Sequence, residues 1–347
     1  MKKSTANGAL ATLNLMLSGQ RIREISNMNN LPTSFTNVFA DNKLTLGLLT
    51  PLEAYPSSPF PTLNADIATA KQAEQAGIAS IWFRDVPFYD PNFGDAAQML
   101  DPFTYAGFIA AHTNKITLGT AGAVLPLRDP IMVAKQAASV DHLSNGRFVL
   151  GVSTGDRPVE YPAFGVDFNA RAERYRESVE IIKTLHQQSF PKHISQHYGE
   201  LDGSLDLYPK PVNQQIPVMA VGRSRQSFEW LANNVNAWIW AVDNEQAISE
   251  IINNLSVASN SNTSPHYGYA TFFDLDKNPD APYQRFYNVV RIGRNALIER
   301  LLKHRELGVK HIALNLKPSR RAAQDVIDEL GSFVIPALEK EQREPAV

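Results

Sequence analysis

The stretch Ile216–Ala232, IPVMAVGRSRQSFEWLA, holds the residues best suited to bind a charged group. An apolar run, expected as a strand, meets Gly222, and a helix is expected to open with Ser224 as its N-cap. The unpaired N–H groups and partial positive charge of a helix start suit a phosphate. Gly222 would let the backbone approach closely, Arg223 would bring charge, and Ser224 and Ser227 would offer hydroxyls. The same spacing also reads as an ordinary capped joint with an exposed arginine.

Gly151–Asp167, GVSTGDRPVEYPAFGVD, is the second such stretch. Ser153 and Thr154 close an apolar run, Gly155-Asp156-Arg157-Pro158 makes a turn, and Glu160, Tyr161 and Phe164 follow in a loop. Hydroxyls beside aromatics suit a cofactor with a planar ring and a polar tail. A polar turn with a packing aromatic has the same composition. His193 and His197 stand four apart, a ligand spacing on a helix, but Pro191 and Gly199 flank them and no metal site is expected. Neither G-x-x-x-x-G-K-[ST] nor H-E-x-x-H occurs.

The elements that must position these residues alternate strand and helix. Strands are expected over 44–50, 78–83, 115–121, 147–153, 216–221, 237–241, 267–275 and 310–316, as near-continuous apolar runs. Helices are expected over 130–143, 170–186, 224–234, 246–255 and 297–306. At Gly77 and Gly308 a helix ends on a glycine and a strand follows at once, the short αβ joint of a parallel sheet. Eight such units fit a single (β/α)8 TIM barrel better than an open sheet. Residues 1–42 read as an N-terminal extension and 43–347 as the barrel domain, with loop insertions at 85–101, 189–212 and 257–266. In such a barrel the site lies at the C-terminal ends of the strands. That places Thr50, Arg84, Asp85, Thr120, Ser153, Thr154 and Gly222–Ser224 around one mouth.

Composition removes several classes. Of the 347 residues, 44% are hydrophobic and 20% charged, an ordinary globular mix. A net charge of −2 gives no reason to expect nucleic acid or an anionic membrane surface. The absence of cysteine excludes disulfides and thiolate chemistry, and fits the cytoplasm. Lys2 and Lys3 precede an apolar run, Ala9–Leu17, but Thr12 and Asn14 interrupt it. A short amphipathic segment is expected there rather than a secretion signal, and no run reaches the ~18 residues of a membrane span.

Four stretches together resemble the luciferase-like flavin monooxygenase family: AEQAGIASIWFRD (73–85), ITLGTAGAVLPLRDPIMVAKQAASVDHLSNGRF (116–148), the Gly151–Arg174 segment, and IPVMAVGRSRQSFEW (216–230). The second is the most specific. The resemblance implies that Gly222, Arg223, Ser224 and Ser227 hold an FMN phosphate and that Ser153 and Thr154 touch the flavin. Thr50 and Thr120 would adjoin its ring, and Asp156, Glu160 and Tyr161 would line the rim near the substrate. Arg84 and Asp85 stand where light-emitting relatives carry a catalytic histidine, and Ser153 where they carry a reactive cysteine; bioluminescence is therefore not expected. The implied activity is oxidation of a small organic substrate by dioxygen and reduced FMN, the flavin arriving from a separate reductase, in a homodimer. An F420-dependent hydride-transfer dehydrogenase on the same fold, or a flavin-binding protein without catalysis, is the alternative.

Overall fold

The computed structural model describes residues 31–41, 43–260 and 264–340. Eight strands form the wall: β1 (Thr45–Leu49), β2 (Ser80–Phe83), β3 (Thr117–Thr120), β4 (Phe148–Ser153), β5 (Val218–Val221), β6 (Ala237–Trp240), β7 (His266–Leu275) and β8 (His311–Asn315). Each pairs in parallel with the next, and β8 returns to β1 in the register Thr45↔His311 to Leu49↔Asn315, so the sheet closes as the expected (β/α)8 barrel. Outside lie α1 (Asp66–Gln75), α2 (Pro102–Ala110), α3 (Pro130–Leu143), α4 (Arg171–Gln187), α5 (Phe228–Asn234), α6 (Glu245–Ala258), α7 (Arg294–Glu306) and α8 (Ala323–Glu329).

Local chemistry sets the joints. Gly77 and Gly308 take φ of +83° and +97°, the left-handed turn that lets a strand begin straight after a helix. Asp101-Pro102 and Asp129-Pro130 open α2 and α3. Each aspartate accepts two backbone N–H bonds and each proline fills the first helical position. The Asp141–Phe148 motif braces the opposite end of the barrel, where these helices finish and the strands begin. Arg147 donates to the carbonyls of Ala110, Thr113, Ser144 and Ile116, while Asp141 accepts from Val212 N–H.

Inside the barrel two large heterocycles join the branched aliphatics Leu49, Val149 and Ile239 that usually fill such an interior. Gly47 and Gly119 clear the room: a Cβ on Gly119 would stand 2.3 Å from Trp82, and one on Gly47 2.7 Å from His311. Trp82 Nε1–H donates to His311 Nε2 at 2.9 Å. An indole can only donate, so the proton of His311 sits on Nδ1, which faces Thr45 Oγ1 at 2.7 Å; that hydroxyl passes the chain on to the Val38 carbonyl at 2.8 Å. Val38 ends a short helix, Thr33–Val38, whose Phe35 and Val38, with Phe39, are buried among Trp82, Val149 and Met219. This helix, from the segment read as an extension, plugs the barrel floor.

Three expectations need correction. The helix after β5 begins at Phe228 and is capped by Ser227, not Ser224, because Ser224 and Arg225 are left-handed (φ +52° and +58°) and cannot start a helix. The 257–266 segment is a shorter connection than expected, since α6 runs to Ala258 and β7 begins at His266. An insertion not anticipated follows β7: Gln284–Phe286 and Val289–Ile292 form an antiparallel pair, and the second strand joins β7. Within 189–212, Lys192–Ser195 and Gly199–Asp202 form a hairpin, so His193 and His197 do not share a helix; His197 Nδ1 instead meets Glu177 Oε1 at 2.9 Å.

Candidate active site

A cleft of about 480 Å3 opens where the C-terminal ends of β2, β4, β5 and β6 converge. Hollows of about 620 Å3 on the outer face of α4 and about 670 Å3 at the floor are larger. The strand-end cleft is nevertheless the place where loops from several strands bring functional groups together. Ala121, Val221, Ile239 and Trp240 give it an apolar base. Arg84, Asp85, Ser153, Thr154, Asp156, Arg157 and Glu160 give it polar walls.

Most of its charges are already paired. Asp85 accepts two bonds from Arg128, both 2.7 Å, and one from Val124 N–H at 2.9 Å. Arg84 binds Asp95 at 2.6 Å, and Lys317 reaches the same carboxylate at 3.2 Å. Burial alone would raise the pKa of Asp95, but these two cations hold it down to about 2. Buried Gln98 locks the corner, accepting from Thr50 Oγ1 at 3.0 Å and from Arg84 N–H at 3.1 Å. Arg157 donates to the carbonyls of Phe88 and Asp95 and stacks on Phe93, 4.1 Å from the ring centre.

The opposite wall differs. Gly222, Ser224 and Arg225 form a left-handed turn (φ +64°, +52° and +58°), and a Cβ built on Gly222 would meet nothing within 4 Å. Trp238 Nε1–H anchors the turn through the Gly222 carbonyl at 2.7 Å, and Gln226 ties it to α4 through Ala172 O at 3.1 Å. Arg171, at the start of α4, is 6% exposed. Burial lowers its pKa, and the like charge of Arg225 lowers it further. The Asp167 carboxylate opposes these effects, and Arg171 donates to the Phe168 carbonyl and lies 3.5 Å over the Phe168 ring. Among the described residues Arg223 and Arg225, both exposed, form no salt bridge.

Residues 44–332 match the luciferase-like monooxygenase family. The chain belongs to it. An uncharacterized protein of Mycobacterium tuberculosis is 34% identical over 159 residues, covering 43% of this chain and 55% of that protein. The 4-hydroxyprotoasukamycin monooxygenase of Streptomyces nodosus subsp. asukaensis is 31% identical over 163 residues, 47% of this chain and 43% of that one. The chain thus matches about half the length of these curated relatives. An F420-dependent secondary alcohol dehydrogenase shares the fold, with a TM-score of 0.68 at 18% identity, over 85% of this chain and 99% of the other.

Within this luciferase-like barrel, Arg84, Asp85, Ser153, Thr154, Asp156, Glu160, Gly222, Arg223 and Ser224 all face one cleft. Four other expected site residues lie off it. Thr50 and Thr120 are fully buried; the one hydroxyl proton of Thr50 is shared between Gln98 Oε1 and Trp82 O, 3.0 and 3.2 Å away, and that of Thr120 goes to Gly151 O at 2.6 Å. Ser227 caps α5, accepting from Trp230 N–H at 3.1 Å. Tyr161 is buried against Val124 and Leu127, its hydroxyl donating to the Thr154 carbonyl. Gly151-Val152-Ser153-Thr154-Gly155 has the spelling of a nucleophile elbow. However, Ser153 Oγ donates to Gly122 O at 3.0 Å and no histidine lines the cleft, so no base is placed to activate it. Gln98, Asp95 and Arg171 were not singled out as site residues. Gln98 and Asp95 act through pairing with Thr50, Arg84 and Lys317, distant in the chain, which local spacing does not reveal.

Proposed function

We propose that the protein is a non-luminescent monooxygenase that uses reduced FMN and dioxygen to oxidise a small organic substrate. The observation that carries this reading is the pair of exposed guanidiniums, Arg223 and Arg225, which form no salt bridge among the described residues and flank the open Gly222–Ser224 turn. Two cations beside a turn that leaves its backbone accessible suit an anion, and a phosphate tail there would supply the counter-charge. The residues present therefore fit a flavin nucleotide.

When bound, reduced flavin supplies the electrons that make dioxygen reactive. The chain's own groups bind, orient and shield. Gly222, Arg223 and Ser224 hold the phosphate, with Ser227 fixing the helix behind them. Ser153 and Thr154 present the polar edge of β4 to the ring system. Thr50 and Thr120 support the base from beneath, through the backbone bonds already described. Arg84 and Asp85 keep the β2 loop in place through Asp95 and Arg128, so the loop can exclude water from the cleft. A separate reductase would deliver the flavin.

The second reading, an F420-dependent dehydrogenase transferring hydride, draws on the same observation. Arg171 and Arg225 add two further cations beside the β5 turn, which a longer anionic tail would use. Anaerobic titration with photoreduced FMN and with reduced F420 separates the two. FMN is expected to bind tightly, and the double variant Arg223→Ala/Ser224→Ala to weaken it by about 1.5–3 kcal/mol through lost charge-assisted hydrogen bonds. Binding of F420 alone transfers the protein to the dehydrogenases. An unchanged FMN affinity in the double variant removes the phosphate site.

A further inference from the structure

Two features of the cleft remain after an anionic tail is assigned to the β5 turn. The first is Glu160. It is 6% exposed, it lines the cleft, and its Oε1 has no hydrogen-bond partner. Arg157 Nη1 stands 3.9 Å from that oxygen, close enough to offset its charge but beyond hydrogen-bond reach. A buried carboxylate oxygen in this state lacks a donor. The second feature is the set of loops that bound the cleft. They present Phe60, Phe88, Tyr89, Phe93 and Phe164, each 41–48% exposed. Two pairs are already in contact, Phe60–Tyr89 at 4.8 Å and Phe88–Phe164 at 5.8 Å between ring centres, and Phe93 itself lines the cleft. Clustered exposed aromatics mark a surface that binds apolar matter.

We propose that the substrate is an uncharged, ring-bearing apolar molecule whose hydroxyl donates to Glu160 Oε1 while its body lies against these aromatics. The inference rests on the monooxygenase reading of the cleft. Charge favours a neutral molecule: Arg84 is matched by Asp95, Asp85 by Arg128 and Glu160 by Arg157, and the two remaining charges of the lining, Asp156 and Arg223, are exposed and of opposite sign. Burial raises the Glu160 pKa and the carboxylates of Asp156, Asp85 and Asp90 raise it further, while the Arg157 guanidinium opposes them and already supplies its counter-charge. An anionic substrate would meet the orphan oxygen head-on.

Four probes of one shape test this by their own fluorescence anisotropy on the purified full chain: 1-naphthol, naphthalene, 1-naphthoate and 1-naphthylmethylammonium. Naphthol is expected to bind about 10-fold more tightly than naphthalene, as a hydrogen bond to a charged acceptor implies. Glu160→Ala should bring the two to parity while keeping the affinity for naphthalene, which also reports that the cleft is intact. Glu160→Gln should fall between. Phe164→Ser should weaken both probes alike. The proposal is overturned if naphthoate or the ammonium binds most tightly, if the naphthol preference survives Glu160→Ala, or if no probe binds. Reduced-FMN affinity on the same samples reports the cofactor reading separately. FMN bound without a naphthol preference sinks only the substrate inference, and a naphthol preference without FMN binding sinks only the cofactor.

Discussion

Gly151→Ala is expected to leave little or no folded protein. A Cβ at this position would lie 1.8 Å from the Thr120 carbonyl oxygen and 3.0 Å from the Met219 methyl group. The clash is with main chain, which cannot rotate away as a side chain can. Thr120 is also fixed from the other side, since its hydroxyl donates to Gly151 O at 2.6 Å and β3 pairs with β4 one turn below. Overpacking a core costs roughly 1–3 kcal/mol and sometimes more. A backbone collision at a closed barrel seam belongs at or above the top of that range, a large share of the about 5–15 kcal/mol that holds a typical domain folded. Gly222→Ala is the internal comparison. Nothing lies within 4 Å of its Cβ, so only the left-handed backbone is penalised, by about 1–2 kcal/mol. Urea midpoints and soluble yield measure both; a Gly151→Ala protein with the parental midpoint would refute the steric account.

Stability is expected to fall steeply between pH 6.5 and 5. Burial lowers the pKa of His311 to about 3 and those of His186 and His304 to about 4. All three are kept neutral by burial, aided at His304 by the like charge of Arg300; the bond from His186 to Ala134 O, at 2.9 Å, favours the charged ring but does not offset its burial. The unfolded chain takes up protons near pH 6.5, where the folded chain does not. Stability is therefore full above 6.5 and is lost as pH falls toward the folded values. At pH 5.5 each group removes about 1.4 kcal/mol, and the three together about 4. Asp66 works the other way, because burial raises its pKa to about 6 and its protonation favours the folded state as pH drops. It returns about 1 kcal/mol over the same interval. Urea midpoints at pH 7.5, 6.5 and 5.5 should decline accordingly, and a flat series would show that these histidines titrate freely.

The barrel was legible because its strands are buried on both faces. Leu44–Thr50 and Ile78–Phe83 read as strands without any alternation, and Gly77 and Gly308 marked where they could start. The Gln284–Ile292 hairpin was not legible. Its first strand is exposed throughout and its second only half buried, so hydrophobicity leaves little trace. At the site, the convergence of strand ends that the topology dictates brings Ser153, Thr154, Glu160 and Gly222–Ser224 to one cleft. Sequence reading misplaced Ser227, Tyr161 and Thr120 relative to the cleft, since which way a hydroxyl turns depends on neighbours such as Gly151 O and Thr154 O. The left-handed Ser224 and Arg225 are likewise set by tertiary anchors, Trp238 and Gln226, rather than by their own preferences.

The stacked indoles at the end of β6 have a practical meaning. Trp238 and Trp240 lie 5.3 Å apart at 16°, one sealed from water and hydrogen-bonded to the Gly222 carbonyl, the other on the cleft wall. A guest that presses on the mouth meets Trp240 directly, and one that tugs the β5 turn moves the partner of Trp238. Intrinsic tryptophan emission is therefore expected to report occupancy of the cleft, with no label required.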